Sequence, residues 1–181
     1  MDNELPLLAA IRAEKDHSVD DLLKAAADAL IADGGRVAGF LQRESTGEGE
    51  CCGRIELQEI ATGASFVISQ ALGSGARGCR LDPQALAAVA GPLHSSLDGE
   101  PDLLILNRFG KGEAEGQGFR AAIEEACARG IPVLTAVREG YVESWLAFAG
   151  ELGILLLPTQ ASVVDWVRRA SSTARRSRDA A

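Results

Sequence analysis

Residues Asp102–Arg120 read DLLILNRFGKGEAEGQGFR, and the fold turns on how this stretch is parsed. Leu103–Leu106 is an apolar run of four residues. It is too short for a helix and lacks polar alternation, the pattern of a strand buried on both faces of a parallel sheet. The run stops at Asn107 and Arg108, after which Lys111, Glu113 and Glu115 arrive among Gly110, Gly112, Gly116 and Gly118. Charge and backbone freedom begin where the strand ends. Ligands of open α/β sheets sit at the carboxyl ends of strands, which makes this the first candidate site.

Working outward, the chain alternates strands and helices. Leu5–Ile11 reads as a strand and Ser18–Ala32 as a helix, with Ser18 and Asp21 spaced as a capping-box-like pair. Arg36–Gln42 supplies a second strand, giving a β-α-β opening with its right-handed crossover. Residues 44–53, ESTGEGECCG, read as an exposed loop. Arg54–Ile60 and Ser65–Ser69, turned by Ala61–Ala64, predict an antiparallel hairpin attached to the sheet. The glycine-rich loop Gln70–Arg80 follows, then a helix to Leu97 with Asp82 as its cap and Pro83 at the favoured first position.

Beyond the central stretch, Gly116–Arg129 predicts a helix, Ile131–Val137 a buried strand, Val142–Gly150 a helix, Ile154–Leu157 a short strand and Ala161–Ala170 a last helix. The alternation argues for one α/β domain over residues 1–170, a three-layer sandwich with a mainly parallel sheet and the hairpin inserted. Residues 171–181, with three arginines among small side chains, read as a frayed, flexible tail.

The 181 residues suit one well-cored domain, and a content of 46% hydrophobic, 24% charged and only 4% aromatic residues suits aliphatic α/β layers. A net charge of −8 argues against a general nucleic-acid partner, which would need a surplus of Lys and Arg. No secretory signal is readable at the N-terminus and no apolar run approaches the roughly 20 residues of a membrane span, so the expected address is cytoplasmic, away from the membrane. Cys51, Cys52, Cys79 and Cys127 form no CxxC pair and no zinc spacing. His17 reads as flanking the first helix and His94 as a surface residue, with no triad or ligand spacing around either.

The order of parts resembles the small P-loop nucleoside-triphosphatases and, more closely, an uncharacterised bacterial family usually encoded beside molybdate-transport genes. The closer resemblance runs from Leu7 to Val167 and rests on ISQALGSGARGCRLD at Ile68–Asp82, LLILNRFGKGEAEG at Leu103–Gly116 and GIPVLTAV at Gly130–Val137. The triphosphatase resemblance implies a P-loop-like fold, but a Walker A loop requires GxxxxGK[ST] between the first strand and helix. RAEKDHSVDD stands there, without a glycine, and Asp20 and Asp21 take the positive end of the helix. The phosphate loop is degenerate. At the second triphosphatase signature, where the family strand ends in a metal-side acid, Asn107 and Arg108 stand instead.

Two loops carry the candidate chemistry. In Gln70–Arg80, Gly73, Gly75 and Gly78 allow backbone N–H groups to converge on an anion, with Arg77 and Arg80 for charge and Ser69 and Ser74 as hydroxyl donors. Asn107, Arg108 and Lys111 would face the same anion from the other loop. Glu113 and Glu115 are candidate catalytic carboxylates that would hold magnesium or orient a water, set against a plain reading as exposed acids at a helix start. Cys79, beside arginines that lower a thiol pKa, is a candidate ligand for a soft metal or a molybdenum species together with Cys51 or Cys52, set against an ordinary packed thiol.

The function expected is an oxyanion- or nucleotide-binding accessory protein, in which molybdate or molybdenum-cofactor handling is implied by the resemblance alone. The alternatives are a magnesium-dependent nucleoside-triphosphate phosphohydrolase, and a regulatory or adaptor protein that docks on a molybdate transporter or molybdenum-cofactor protein without a small ligand. A homodimer is an expectation of the compact α/β class only.

Overall fold

A computed structural model of the chain describes residues 5–13, 18–45, 54–70 and 80–181. The elements in order are β1 (Leu8–Ala13), α1 (Val19–Ala32), β2 (Val37–Ser45), β3 (Arg54–Glu59), β4 (Ser65–Val67), β5 (Ser69–Gln70) and β6 (Arg80–Leu81). Then come α2 (Pro83–Asp98), β7 (Leu103–Ile105), α3 (Lys111–Ala114), α4 (Arg120–Ala128), β8 (Val133–Arg138), α5 (Val142–Ala149), β9 (Gly153–Leu156) and α6 (Gln160–Asp179). Seven strands form one sheet in the order β4-β3-β2-β7-β8-β1-β9. From β2 to β9 all neighbours are parallel, while β3 and β4 add an antiparallel hairpin at the β2 side.

Apolar side chains on both faces of the parallel strands explain the layers. Ala9, Ile11, Leu103, Ile105, Leu134 and Ala136 pack with Leu23 and Ala26 of α1 and Val163 and Trp166 of α6. Leu8, Ala10, Leu104, Leu106, Val133 and Val137 pack on the opposite side with Val89 of α2, Ile123 of α4 and Trp145 of α5. The strand register sets this sorting, because successive side chains point to opposite faces. The result is the three-layer sandwich with a mainly parallel sheet that the alternation predicts. Close strand approach at β2 requires Gly39. Its φ is +108°, and a Cβ there would sit 1.8 Å from the Ile105 carbonyl oxygen.

Among the described residues no helix is long and apolar enough to cross a membrane. The predicted cap of α2 forms, with Asp82 Oδ1 accepting from the Gln84 N–H at 2.9 Å. Ser18 makes no side-chain cap on α1, so the expected capping box with Asp21 is absent.

Two segments correct the sequence reading. The helix expected over Gly116–Arg129 is only α4, Arg120–Ala128, because residues 116–119 form a turn that follows the short α3. Gly116 and Gly118 stand at φ +84° and +61°, which a right-handed helix does not accept. The segment 171–181, expected to fray, continues α6 as helix to Asp179. It is held by tertiary charge pairing: Arg175 Nη2 donates to Asp102 Oδ2 at 2.8 Å, and Arg178 donates to Asp102 Oδ1. Asp102 is itself 4% exposed and also accepts from the Arg36 backbone N–H at 2.9 Å. Burial alone would raise the Asp102 carboxyl, but the hydrogen bonds from Arg175, the Arg36 backbone and Arg178 outweigh it and bring the pKa down to about 2.

Candidate functional site

Helices α1 and α5 leave neighbouring strands for opposite faces of the sheet. β1 and β8 pair in parallel, Leu8 with Val133 through Ala13 with Arg138. α1, which follows β1, packs on one face and α5, which follows β8, packs on the other. Such a reversal marks the topological switch point at the carboxyl ends of β1 and β8, where an open α/β sheet offers a ligand a crevice. β7 lies on the far side of β8 and delivers Asn107 and Arg108 to the same edge.

Asn107 is 5% exposed. Its Nδ2 donates to Gln42 Oε1 of β2, and its Oδ1 is buried without a hydrogen-bond partner among the described residues. Arg108 reaches the start of α1, where its Nη2 lies 3.7 Å from Asp20 Oδ2. Its Nε is buried and likewise makes no hydrogen bond among the described residues. Beside the crevice, Arg12 Nε and Nη2 both approach Glu139 Oε2, at 2.8 and 2.6 Å. Glu139 opens the turn after β8 and stands 127 positions from Arg12 in sequence.

The other carboxyl-edge candidates fall elsewhere. Glu113 is only 8% exposed, contrary to its reading as an exposed acid. Its Oε2 accepts from the Gly110 N–H and its Oε1 from the Phe119 N–H, each at 3.0 Å. The carboxylate is thus a clamp that closes α3 and the following turn, and Gly118 is pressed so close that a Cβ there would lie 2.3 Å from Glu113 Oε1. Lys111 and Glu115 are both exposed on α3 and its end, 3.9 Å apart as an i,i+4 pair. Neither faces Asn107 through any hydrogen bond or ion pair among the described residues.

In the glycine-rich loop, Gly73, Ser74, Gly75, Arg77, Gly78 and Cys79 lie outside the described residues, as do Cys51 and Cys52 and the side chain of Arg80. The loop's two ends are described. Ser69 pairs with Leu81 and Gln70 with Arg80, so β5 and β6 close the base of the loop. The Ser69 hydroxyl accepts from the Ile55 N–H at 3.0 Å, which engages it with the hairpin.

Among the described residues no three His, Cys, Asp or Glu side chains converge as a metal site. Glu113 has both oxygens engaged by backbone N–H groups, whereas Glu115 stands exposed at the end of α3. His17 lies outside the described residues, and His94 pairs through Nδ1 with Glu125 across α2 and α4. Cys127 is half-buried, and burial followed by the nearby Glu124 pushes its thiol up to about 11, which favours the protonated form at neutral pH.

Sequence reasoning missed Arg12, Glu139 and Gln42. Arg12 was the one charged interruption near the end of an apolar strand, a visible signal, but its partnership with Glu139 depends on β1 lying beside β8. Gln42 was visible only as a strand residue.

The architecture is a three-layer α/β sandwich on a mainly parallel sheet with an antiparallel hairpin at one side. It matches the crystal structure of THEP1 from the hyperthermophile Aquifex aeolicus at a TM-score of 0.62 and 14% identity, over 93% of this chain and 98% of that one. The chain belongs to the family described as Protein of unknown function (DUF2478), whose model matches residues 8–166. It is also 37% identical over 172 residues to the molybdenum import ATP-binding protein ModC 2 of Bradyrhizobium diazoefficiens. That match takes in 95% of this chain but only 19% of the relative's length.

Proposed function

We propose that the protein binds a tetrahedral oxyanion, or the phosphate groups of a nucleotide, at the carboxyl edge of its sheet, as an accessory to molybdate or molybdenum-cofactor handling. The observation that carries this reading is the pair Asn107 and Arg108. They follow the central strand directly, and each presents a buried polar atom, Oδ1 and Nε, without a hydrogen-bond partner among the described residues. Such groups are costly to bury unmade, so a ligand or an ordered water is the expected complement. The glycine-rich loop, with Arg77 and Arg80, is proposed as the second half of the anion site. The ATP-binding name of the 37% identical relative supports nucleotide phosphate, and its molybdenum import name supports the accessory role.

The match to one segment of a much longer ATP-binding relative also favours a second reading, an adaptor that docks on a transporter ATPase without a small ligand. A phosphohydrolase is the weaker alternative, because Glu113 has both oxygens committed to backbone N–H groups.

Thermal-shift titration with molybdate, tungstate, phosphate, ATP and GTP separates these readings. A binder is stabilised by at least one of them, by an amount that rises with the logarithm of ligand over Kd. Arg108→Ala should abolish that shift, and Arg77→Ala with Arg80→Ala should weaken it. Absence of any shift would remove the binding reading and leave the adaptor. Magnesium-dependent phosphate release lost in Glu115→Gln would instead establish the enzyme.

A further inference from the structure

Two arginines at the carboxyl edge, Arg12 of β1 and Arg108 just after β7, are engaged by the protein's own carboxylates. Glu139, beyond β8, holds Arg12 of β1 through one oxygen at 2.6 and 2.8 Å. Asp20, in the first turn of α1, lies 3.7 Å from Arg108. These pairs flank the crevice where the helices after β1 and β8 diverge, the place an open α/β sheet offers to a ligand. A guanidinium fork binds phosphate-like oxyanions and carboxylates with the same geometry, so a carboxylate on such a fork is a direct competitor of an anionic ligand.

From this juxtaposition we infer that Arg12 is an anion-binding residue of the switch-point crevice, and that Glu139 is a displaceable internal competitor which occupies it until a tetrahedral oxyanion or nucleotide phosphate arrives. The inference rests on the proposed carboxyl-edge site and names its gate. The Arg12 side chain is 49% exposed and that of Glu139 72% exposed. Solvent therefore reaches both partners, and an exposed pair of this kind is weak enough for a multiply charged anion to replace. The backbone needs no rearrangement, because Glu139 sits on the turn just beyond the last residue of β8 and its side chain has only to swing into water. Arg12 remains fixed at its root by the register of β1 against β8, where it pairs with Val137.

The test is calorimetric titration of the full chain with inorganic phosphate, sodium molybdate and ATP in separate arms, using wild type, Glu139→Gln and Arg12→Ala. Removal of the competitor should tighten binding in Glu139→Gln by roughly two- to fivefold, the scale of an exposed ion pair. Arg12→Ala should weaken binding by at least that factor, and the double variant should behave as Arg12→Ala alone. Tightening confined to ATP assigns a nucleotide phosphate, while equal tightening for phosphate or molybdate assigns the free oxyanion; either supports the gate. Wild-type binding with unchanged affinity in both single variants would overturn the gate and leave the carboxyl-edge site standing. Binding by none of the proteins, Glu139→Gln included, would overturn both. Unchanged circular dichroism in the two variants, expected at exposed positions, verifies that folding is not being measured.

Discussion

Replacing Asp102 by Asn should destabilise the protein by about 2 kcal/mol near neutral pH and release the last turns of α6. The gap between the ordinary carboxyl value of 3.8 and the folded value of about 2 corresponds to roughly 2.5 kcal/mol. Arg175 and Arg178 are 39% and 25% exposed and keep part of their hydration, which brings the retained figure nearer about 2 kcal/mol. For a chain of this size that is a fall in Tm of roughly 4–8 °C. The pH dependence has a definite sign. The folded pKa is depressed, so wild type holds the full contribution above about pH 5 and loses it as pH falls through 3.8 toward 2. The amide that Asp102→Asn introduces carries no charge at any pH. The stability difference measured from urea midpoints should therefore be largest at pH 7 and shrink by about two thirds at pH 2.5. Amide exchange at residues 172–179 should accelerate in the variant at pH 7. A variant as stable as wild type at pH 7, or a difference that stays constant down to pH 2.5, would refute the clamp.

Two further outcomes follow from buried polar groups. Thr135 is fully buried on β8 and its Oγ1 has no hydrogen-bond partner among the described residues, so Thr135→Val should be neutral or stabilising by up to about 1 kcal/mol in urea unfolding. Clear destabilisation would mean that the hydroxyl is engaged. Glu113→Ala removes the acceptor shared by the Gly110 and Phe119 N–H groups and should cost about 1–3 kcal/mol of stability while leaving any ligand-induced thermal shift intact. Loss of that shift at unchanged stability would restore Glu113 as a functional residue.

Much of the candidate site was legible as types of residue and little of it as partnerships. Asn107 and Arg108 announced themselves by ending an apolar run, and they do stand at the carboxyl edge. Glu113 looked like an exposed acid because nothing local shows that the chain folds back through Gly116 and Gly118 to place the Phe119 N–H on it. Lys111 was grouped with Arg108 by proximity in sequence, whereas the helical turn of α3 directs it to Glu115.

By itself the sequence determined the layered α/β architecture, the hairpin and the Asp82 cap, because these depend on hydrophobic period, turn residues and contacts a few positions apart. Tertiary structure alone decided three things. It joined Asp102 to Arg175 and Arg178 and so made helix of a segment that composition reads as a tail. It committed Glu113 to the backbone, and it brought Glu139 to Arg12 across 127 positions. Each is a charge placed by how the chain folds back on itself, above all by the order of strands in the sheet, and that order leaves no periodic trace in the chain.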